Sequence, residues 1–93
     1  MKIKDKEVNL KITPKALLKI EEQYKDFDIL GLIRGASEDK EPRISDYYKV
    51  IYAGYLGTEQ EEITFDEFLK LIEDVDIFEI NKIGVELLIK RKN

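Results

Sequence analysis

Residues 45–57, with the sequence SDYYKVIYAGYLG, decide how this chain folds. Ser45 is of the type that often precedes a helix, and Gly57 is of the type that often follows one. Between them, apolar and aromatic residues occupy nearly every position instead of forming one stripe. A helix of this kind is either buried at the centre of a domain or part of an interface. The sequence therefore predicts a helix over residues 46–56 in one of those two roles.

Two more helices are predicted on the carboxyl side of this segment. Thr64 and Glu67 have the spacing of a capping box, in which each side chain accepts a hydrogen bond from the backbone of the other residue. Apolar residues then recur at helical spacing, at Phe65, Phe68, Leu69 and Ile72. Asp76 and Glu79 repeat the capping pattern, so we predict a last helix that extends to about Ile89. Its expected core face consists of Ile77, Ile80, Ile83, Leu87 and Leu88.

The sequence of residues 1–24 predicts a β-hairpin followed by a first helix. In residues 1–12, apolar residues alternate with polar ones around a turn at Lys4-Asp5-Lys6, which is typical of a short hairpin. Two strands alone are marginally stable, so a helix is expected to cover the apolar face of the hairpin. Thr13-Pro14 is a strong helix start, and this helix is expected to end near Tyr24.

A short second helix is predicted over residues 29–34. Gly35 follows it and is expected to end it in a left-handed conformation, which glycine adopts easily. Residues 36–43 are polar and contain a proline, so they are expected to form a loop between this helix and the central one.

The composition is that of one domain in a reducing compartment. The 93 residues are enough for one modest hydrophobic core, and charged residues make up 39% of them. We therefore expect a single, mainly α domain, in which an N-terminal β-hairpin (1–12) is followed by a compact bundle of four or five short helices (13–93). The chain has no cysteine, no apolar signal segment and no run long enough to span a membrane, so a cytoplasmic location is expected.

The net charge of −4 is unevenly distributed along the chain. Residues 58–81 contain nine acidic residues and one basic residue, whereas residues 82–93 contain four basic residues and one acidic residue. The negative charge disfavours binding to the phosphates of nucleic acids. The acidic region predicts either solvated helix faces or a surface that attracts a basic protein partner.

Enzymatic chemistry is not expected from this sequence. Histidine and cysteine, which most often act as acids, bases or nucleophiles, are both absent. Residues 56–67 have the length of an EF-hand loop that ends at Glu67, but Leu56 in its first position has no oxygen for calcium. We therefore expect no catalytic residues, no metal and no cofactor.

Two apolar stripes exceed what a small core requires. The first lies on one face of the third helix and consists of Tyr48, Tyr52 and Tyr55. The second lies on the last helix, away from its expected core face, and consists of Phe78, Val85 and Ile89. Tyrosine suits interfaces because it covers apolar area while its hydroxyl stays in water. We hypothesise that these residues include a protein-binding or self-association surface, and internal packing is the alternative.

The order and spacing of these segments resemble those of the tail assembly chaperones of long-tailed bacteriophages, particularly phages and prophages of Gram-positive bacteria. The resemblance covers nearly the whole chain. It is carried by the hairpin at 2–12, TPKAL at 13–17, IEE at 20–22, VIYAG at 50–54 and ITFDE at 63–67.

This resemblance implies a non-enzymatic protein that binds the tape measure protein, a long and aggregation-prone chain, during tail morphogenesis. It implies the tail tube protein as a further partner, recruited by a longer frameshifted product, and a chaperone that is absent from the finished virion. The family has no catalytic motif, so the resemblance implies no catalytic or ligand-binding residue. The alternative is a small helical adaptor or regulatory domain of prophage or bacterial origin, and a homo-oligomer is compatible with both interpretations.

Overall fold

The computed structural model describes residues 1–37, 42–58 and 62–90, without the side chains at 36, 37, 89 and 90. Within these residues, an amino-terminal hairpin precedes five helices. The elements are β1 (Lys2–Ile3), β2 (Lys6–Glu7), α1 (Pro14–Gln23), α2 (Ile29–Ser37), α3 (Ile44–Leu56), α4 (Phe65–Leu71) and α5 (Ile77–Lys90). The predicted class, mainly α with an N-terminal hairpin, is confirmed. No helix in the described ranges is both long and apolar enough to cross a bilayer.

The hairpin is shorter than predicted. In its two antiparallel strands, Lys2 lies opposite Glu7 and Ile3 lies opposite Lys6. Lys4 and Asp5 form the turn with φ values of 50° and 68°, and two successive positive φ values are typical of a type I′ hairpin turn. The following residues, 8–13, are not in a strand, because they pack along the central helix instead. The Lys11 N–H donates to the Gly54 carbonyl at 2.9 Å, which joins this segment to α3.

The starts of α1 and α4 confirm the predicted caps. The Thr13 hydroxyl accepts a hydrogen bond from the Ala16 N–H at 3.2 Å, and proline occupies the first turn of α1. At α4, the Glu67 N–H donates to the Thr64 hydroxyl at 3.1 Å, and the Thr64 N–H donates to the Glu67 carboxylate at 3.0 Å. These bonds satisfy backbone donors that a helix start leaves without partners.

Helix α2 extends further than predicted. It continues through Gly35 to Ser37, and no glycine among the described residues has a positive φ. The expected left-handed stop at Gly35 is therefore wrong, and the first two residues of the expected 36–43 loop are helical. A glycine inside a helix costs only about 1 kcal/mol relative to alanine, which the packing of α2 on α3 and α5 offsets. Residues 38–41, in the rest of that loop, lie outside the described residues.

The start of α3 also differs from the prediction. The helix begins at Ile44 and is capped at Arg43, whereas Ser45 was expected to be the cap. The Arg43 N–H donates to the Asp46 carboxylate at 2.9 Å. The N–H groups of Asp46 and Tyr47 both donate to the Arg43 carbonyl, so the first helical turn already includes Ser45. The predicted end of α3 before Gly57 is confirmed.

Helix α3 is the centre of the hydrophobic core. It contacts α1, α2, α4 and α5, and all its residues from Val50 to Tyr55 are buried. The largest fully buried side chains are Tyr52, Phe68, Ile20, Ile51, Ile72, Ile80 and Val50. Of the two roles predicted for this helix, the central and buried one is therefore observed.

Replacing Glu67 by glutamine is expected to reduce stability only where the carboxylate is ionised. The backbone N–H of Thr64, and then its side chain, hold the pKa of Glu67 below its ordinary value of 4.5. A carboxyl group with a lowered folded-state pKa stabilises the fold above its unfolded pKa, and this contribution disappears as the pH falls through the folded value. Urea titrations should therefore show a weaker Glu67→Gln variant near about pH 7, and a difference that shrinks as the pH falls below the ordinary value of 4.5. A deficit that stays the same as the pH falls would contradict the ionic contribution.

Candidate protein-binding surface

The three tyrosines of the predicted stripe on α3 have different environments. Tyr52 is fully buried and Tyr55 is 7% exposed, so neither side chain is accessible to a partner in this conformation. The Tyr52 hydroxyl donates to the Ile63 carbonyl at 2.7 Å, and its ring lies 5.3 Å from that of Phe65. Tyr48 is half-buried and lines a surface groove. The accessible part of this stripe is therefore Tyr48.

An aromatic cluster accounts for the buried tyrosines. Its rings contact one another between α1, α3 and α4, and its members are Tyr24, Phe27, Tyr52, Tyr55, Phe65 and Phe68. The Tyr24 hydroxyl accepts a hydrogen bond from the Phe65 N–H at 2.9 Å. Burial, and then the neighbouring Tyr24, raise the pKa of Tyr52 far above its usual range, so that its hydroxyl stays a donor. The cluster is structural.

A groove of about 380 Å³ lies between the start of α3 and α4. Its lining is mainly apolar and consists of Ser45, Tyr48, Lys49, Phe65, Leu69, Ile72 and Glu73. The Lys49 ammonium lies 5.0 Å from the centroid of the Phe27 ring, within cation–π distance. Apolar grooves between helices are a common site for the apolar face of a partner helix. We call this the α3–α4 groove.

Two residues of the stripe predicted on α5 have described side chains. Phe78 is 81% exposed, and Val85 is half-buried. Ile77 was expected on the core face but is 52% exposed, because it is the first residue of α5 and extends past the packed part of the helix. Ile89 lies in α5, and its side chain is outside the described residues.

Ile77 and Phe78 lie within an acidic stretch of the chain. Residues 73–79 have the sequence EDVDIFE, with four carboxylates and no basic residue. All four carboxylate residues are exposed, namely Glu73, Asp74, Asp76 and Glu79. Asp74 lies 3.6 Å from the Lys4 ammonium, an exposed pair that neutralises little of this charge in salt. We define the α5 patch as Ile77, Phe78 and these four carboxylates.

The first turn of α5 presents this patch in a defined geometry. The Asp76 carboxylate accepts a hydrogen bond from the Phe78 N–H at 2.7 Å, and the Asp76 carbonyl accepts from the Ile80 N–H at 3.0 Å. Ile80 is fully buried, so the turn that carries the exposed pair is anchored to the core directly behind it. The predicted cap at Asp76 is confirmed, but its carboxylate accepts from Phe78, whereas the capping-box pattern with Glu79 predicted the Glu79 N–H, which donates to the Asp76 carbonyl.

Comparison with protein-family models, with curated proteins and with solved structures finds no match for this chain. The interpretation of the surface therefore rests on its own geometry. Within the ranges that the structure describes, no three potential ligand side chains are grouped so that they could hold a metal ion. The α5 patch and the α3–α4 groove each provide apolar side chains for contact, with charged residues beside them.

Helical spacing predicts Ile77 on the core face and does not distinguish Leu69 from core residues, although both are accessible at these surfaces. A signal for Ile77 was available in its position directly after the Asp76 cap, since a first-turn residue often extends beyond the packed face. Leu69 shares helical spacing with buried Phe68 and Ile72, so periodicity alone does not separate it from the core.

Proposed function

We propose that this protein is a phage tail assembly chaperone that binds and solubilises the tape measure protein during tail morphogenesis. The observation that carries the proposal is the α5 patch, in which exposed apolar side chains lie among carboxylates on a fold with a complete core. The order of the hairpin and helices also agrees with the pattern on which the family resemblance rests. The role is therefore binding without catalysis.

The physical basis of such a role is the covering of apolar surface. A long helical client exposes apolar stripes until the tail tube encloses it, and exposed stripes of that kind aggregate. Many copies of a small protein could cover these stripes, and a net charge of −4 on each copy would keep the complexes apart by mutual repulsion. We place this step in the bacterial cytoplasm, with the tail tube protein as a further partner and the chaperone released before the virion is complete.

Co-expression with the long open reading frame downstream of this gene tests the proposal. We expect the long product to become soluble and to co-purify with this chain, whereas it precipitates when expressed alone. The control is an unrelated helical protein of similar length, which should not be solubilised. If the full-length, correctly paired client stays insoluble or does not bind, the chaperone proposal is wrong.

A small helical adaptor is the second candidate function. The α3–α4 groove favours it, because about 380 Å³ accommodates a few side chains of one short helix. The gene neighbourhood distinguishes the two: a tail tube gene upstream and a very long coiled-coil gene downstream favour the chaperone. Other neighbours, together with a short helical partner in pull-down experiments, favour the adaptor.

A further inference from the structure

We infer that the α5 patch binds the apolar face of an amphipathic helix that carries Lys or Arg beside its apolar stripe. The inference rests on the proposed function, since it names the surface and the chemistry by which a helical client is captured. Four observations support it: the exposure of the apolar pair, the rigidity of the turn beneath it, the local charge, and the position of the nearby groove.

The apolar pair is exposed and is also held in place. Phe78 leaves most of an aromatic ring in water, a large area whose burial on a partner is favourable. Since Asp76 caps the turn and Ile80 anchors it, the ring is presented by backbone that need not be ordered on binding. Contacts that are preorganised in this way lose less conformational entropy on association.

The charge around the pair determines the chemistry of the partner. Four carboxylates occur within the seven residues 73–79, and one of them, Asp74, pairs with Lys4. Because carboxylates surround the apolar pair, the patch favours a partner that has cations at the edge of its apolar stripe. It also disfavours a second copy of this chain, because a two-fold contact of the patch with itself would bring identical carboxylates together.

The α3–α4 groove lies close to the patch along the chain. Glu73 lines the groove and belongs to the patch, and Phe78 follows it after five residues. The two residues are therefore at most about 18 Å apart, at about 3.6 Å per residue. A partner helix of about 12 residues is about 18 Å long, which is enough to span that distance.

The first experiment measures binding of two designed amphipathic helices of about 18 residues. They share a leucine stripe, which is bordered by lysine in one peptide and by glutamate in the other. We expect the wild-type protein to bind the lysine peptide, and its affinity to fall about fivefold or more when NaCl is raised from about 50 mM to about 500 mM. Equal binding of both peptides, or none, would overturn the inference.

Two variants locate the site of binding. Ile77→Ser/Phe78→Ser should lower the affinity for the lysine peptide about tenfold or more, because it removes the apolar contact. Leu18→Ser is the matched control, since Leu18 is 62% exposed on α1 and should not affect binding. Circular dichroism should show both variants folded. Unchanged affinity of the double variant would overturn the inference.

A charge-reversal variant keeps the inference testable even if the serine double variant does not fold. Glu73→Lys/Glu79→Lys leaves the Asp76 cap intact and should transfer the preference from the lysine peptide to the glutamate peptide. An unchanged preference would contradict the assigned site. Light scattering that shows a dimer lost in Ile77→Ser/Phe78→Ser would instead assign the patch to self-association and overturn the inference.

The same serine variant separates this inference from the proposed function. If the wild type solubilises the tape measure client and Ile77→Ser/Phe78→Ser does so equally well, the chaperone proposal stands and the α5 patch is not its site. If the wild type binds the lysine peptide but not the client, the patch stands as a binding site and the chaperone proposal fails.

Discussion

Replacing Tyr52 by alanine is expected to lower the free energy of unfolding by about 3–5 kcal/mol. Tyr52 is fully buried, and its ring contacts those of Phe65 and Phe68 at centroid distances of 5.3 and 5.4 Å. The truncation leaves a cavity that the surrounding side chains refill only in part. Because small domains are stable by only about 5–15 kcal/mol, this variant should be close to unfolding. Urea denaturation followed by circular dichroism measures the change.

Tyr52→Phe is the matched control for this prediction. It keeps the ring and removes the hydroxyl that donates to the Ile63 carbonyl at 2.7 Å, so we expect a loss of about 1–2 kcal/mol. Equal losses in the two variants would mean that the hydrogen bond, and not packing, accounts for the effect. A Tyr52→Ala protein that folds normally but no longer binds a client would instead place Tyr52 at the binding surface.

The raised pKa of the Tyr52 hydroxyl also predicts that the stability difference between the wild type and Tyr52→Phe changes at alkaline pH. Burial, followed by the neighbouring Tyr24, raises the pKa of Tyr52 above its ordinary value of 10.0. A group with a raised folded-state pKa contributes stability below its unfolded pKa, and this contribution is lost as the pH rises towards the folded value. The stability advantage of the wild type over Tyr52→Phe should therefore narrow above about pH 10. An advantage that is constant with pH would contradict this prediction.

Gly57→Ala is expected to have the second largest effect, a loss of about 2–3 kcal/mol. A Cβ atom at this position would overlap the Lys11 carbonyl oxygen and lie 2.8 Å from the carbonyl carbon of the same residue. Gly57 has a φ of −78°, so lack of space, and not conformation, requires the glycine. Relief would require the segment before α1 to move away from the end of α3. Thermal or urea denaturation of the purified variant gives the measurement.

Gly54→Ala makes the same chemical change one turn earlier and serves as the control. There a Cβ would lie 3.1 Å from the Leu10 Cβ and 3.5 Å from a Leu87 methyl group, so a shift of a few tenths of an ångström would relieve the contact. Alanine also gains about 1 kcal/mol of helix propensity over glycine. We therefore expect a net change within about 1 kcal/mol. If Gly57→Ala proved equally mild, the contact between Lys11 and the end of α3 would not be a constraint.

The sequence predicted those parts of the fold that have local causes. The starts of α1, α4 and α5 follow from Thr13, Thr64 and Asp76, whose side chains accept hydrogen bonds from amides only two or three residues away. The short length of the hairpin depends on a contact that is remote in sequence, since the Lys11 N–H donates to the Gly54 carbonyl 43 positions later. No pattern of alternation encodes that bond. The cap of α3 lies at Arg43 and not at Ser45, and the Arg43 N–H donates to the Asp46 carboxylate three residues later.

The candidate site was predictable in part, for a similar reason. Periodicity shows which residues share a helix face, so the separation of Phe78 from the core face of α5 was visible in the sequence. Periodicity does not show which other element a helix face packs against, or whether it stays in solvent. Tyr52 became part of the core because the aromatic residues of α4 pack against it, while Tyr48 lies at the opening of the α3–α4 groove. The burial of the tyrosines therefore depends on tertiary packing.

The cap of α5 has a consequence for how such a protein diversifies. Asp76 fixes the first turn through a backbone N–H, so the geometry there is independent of the side chains at 77 and 78. Selection for a stable fold acts on the aspartate and leaves the two exposed positions free. A lineage that meets a new partner can exchange those two residues and adjust the neighbouring acids while the core sequence stays under its old constraint. With the α5 patch as the proposed binding surface, recognition and folding would be separable heritable traits of this chain.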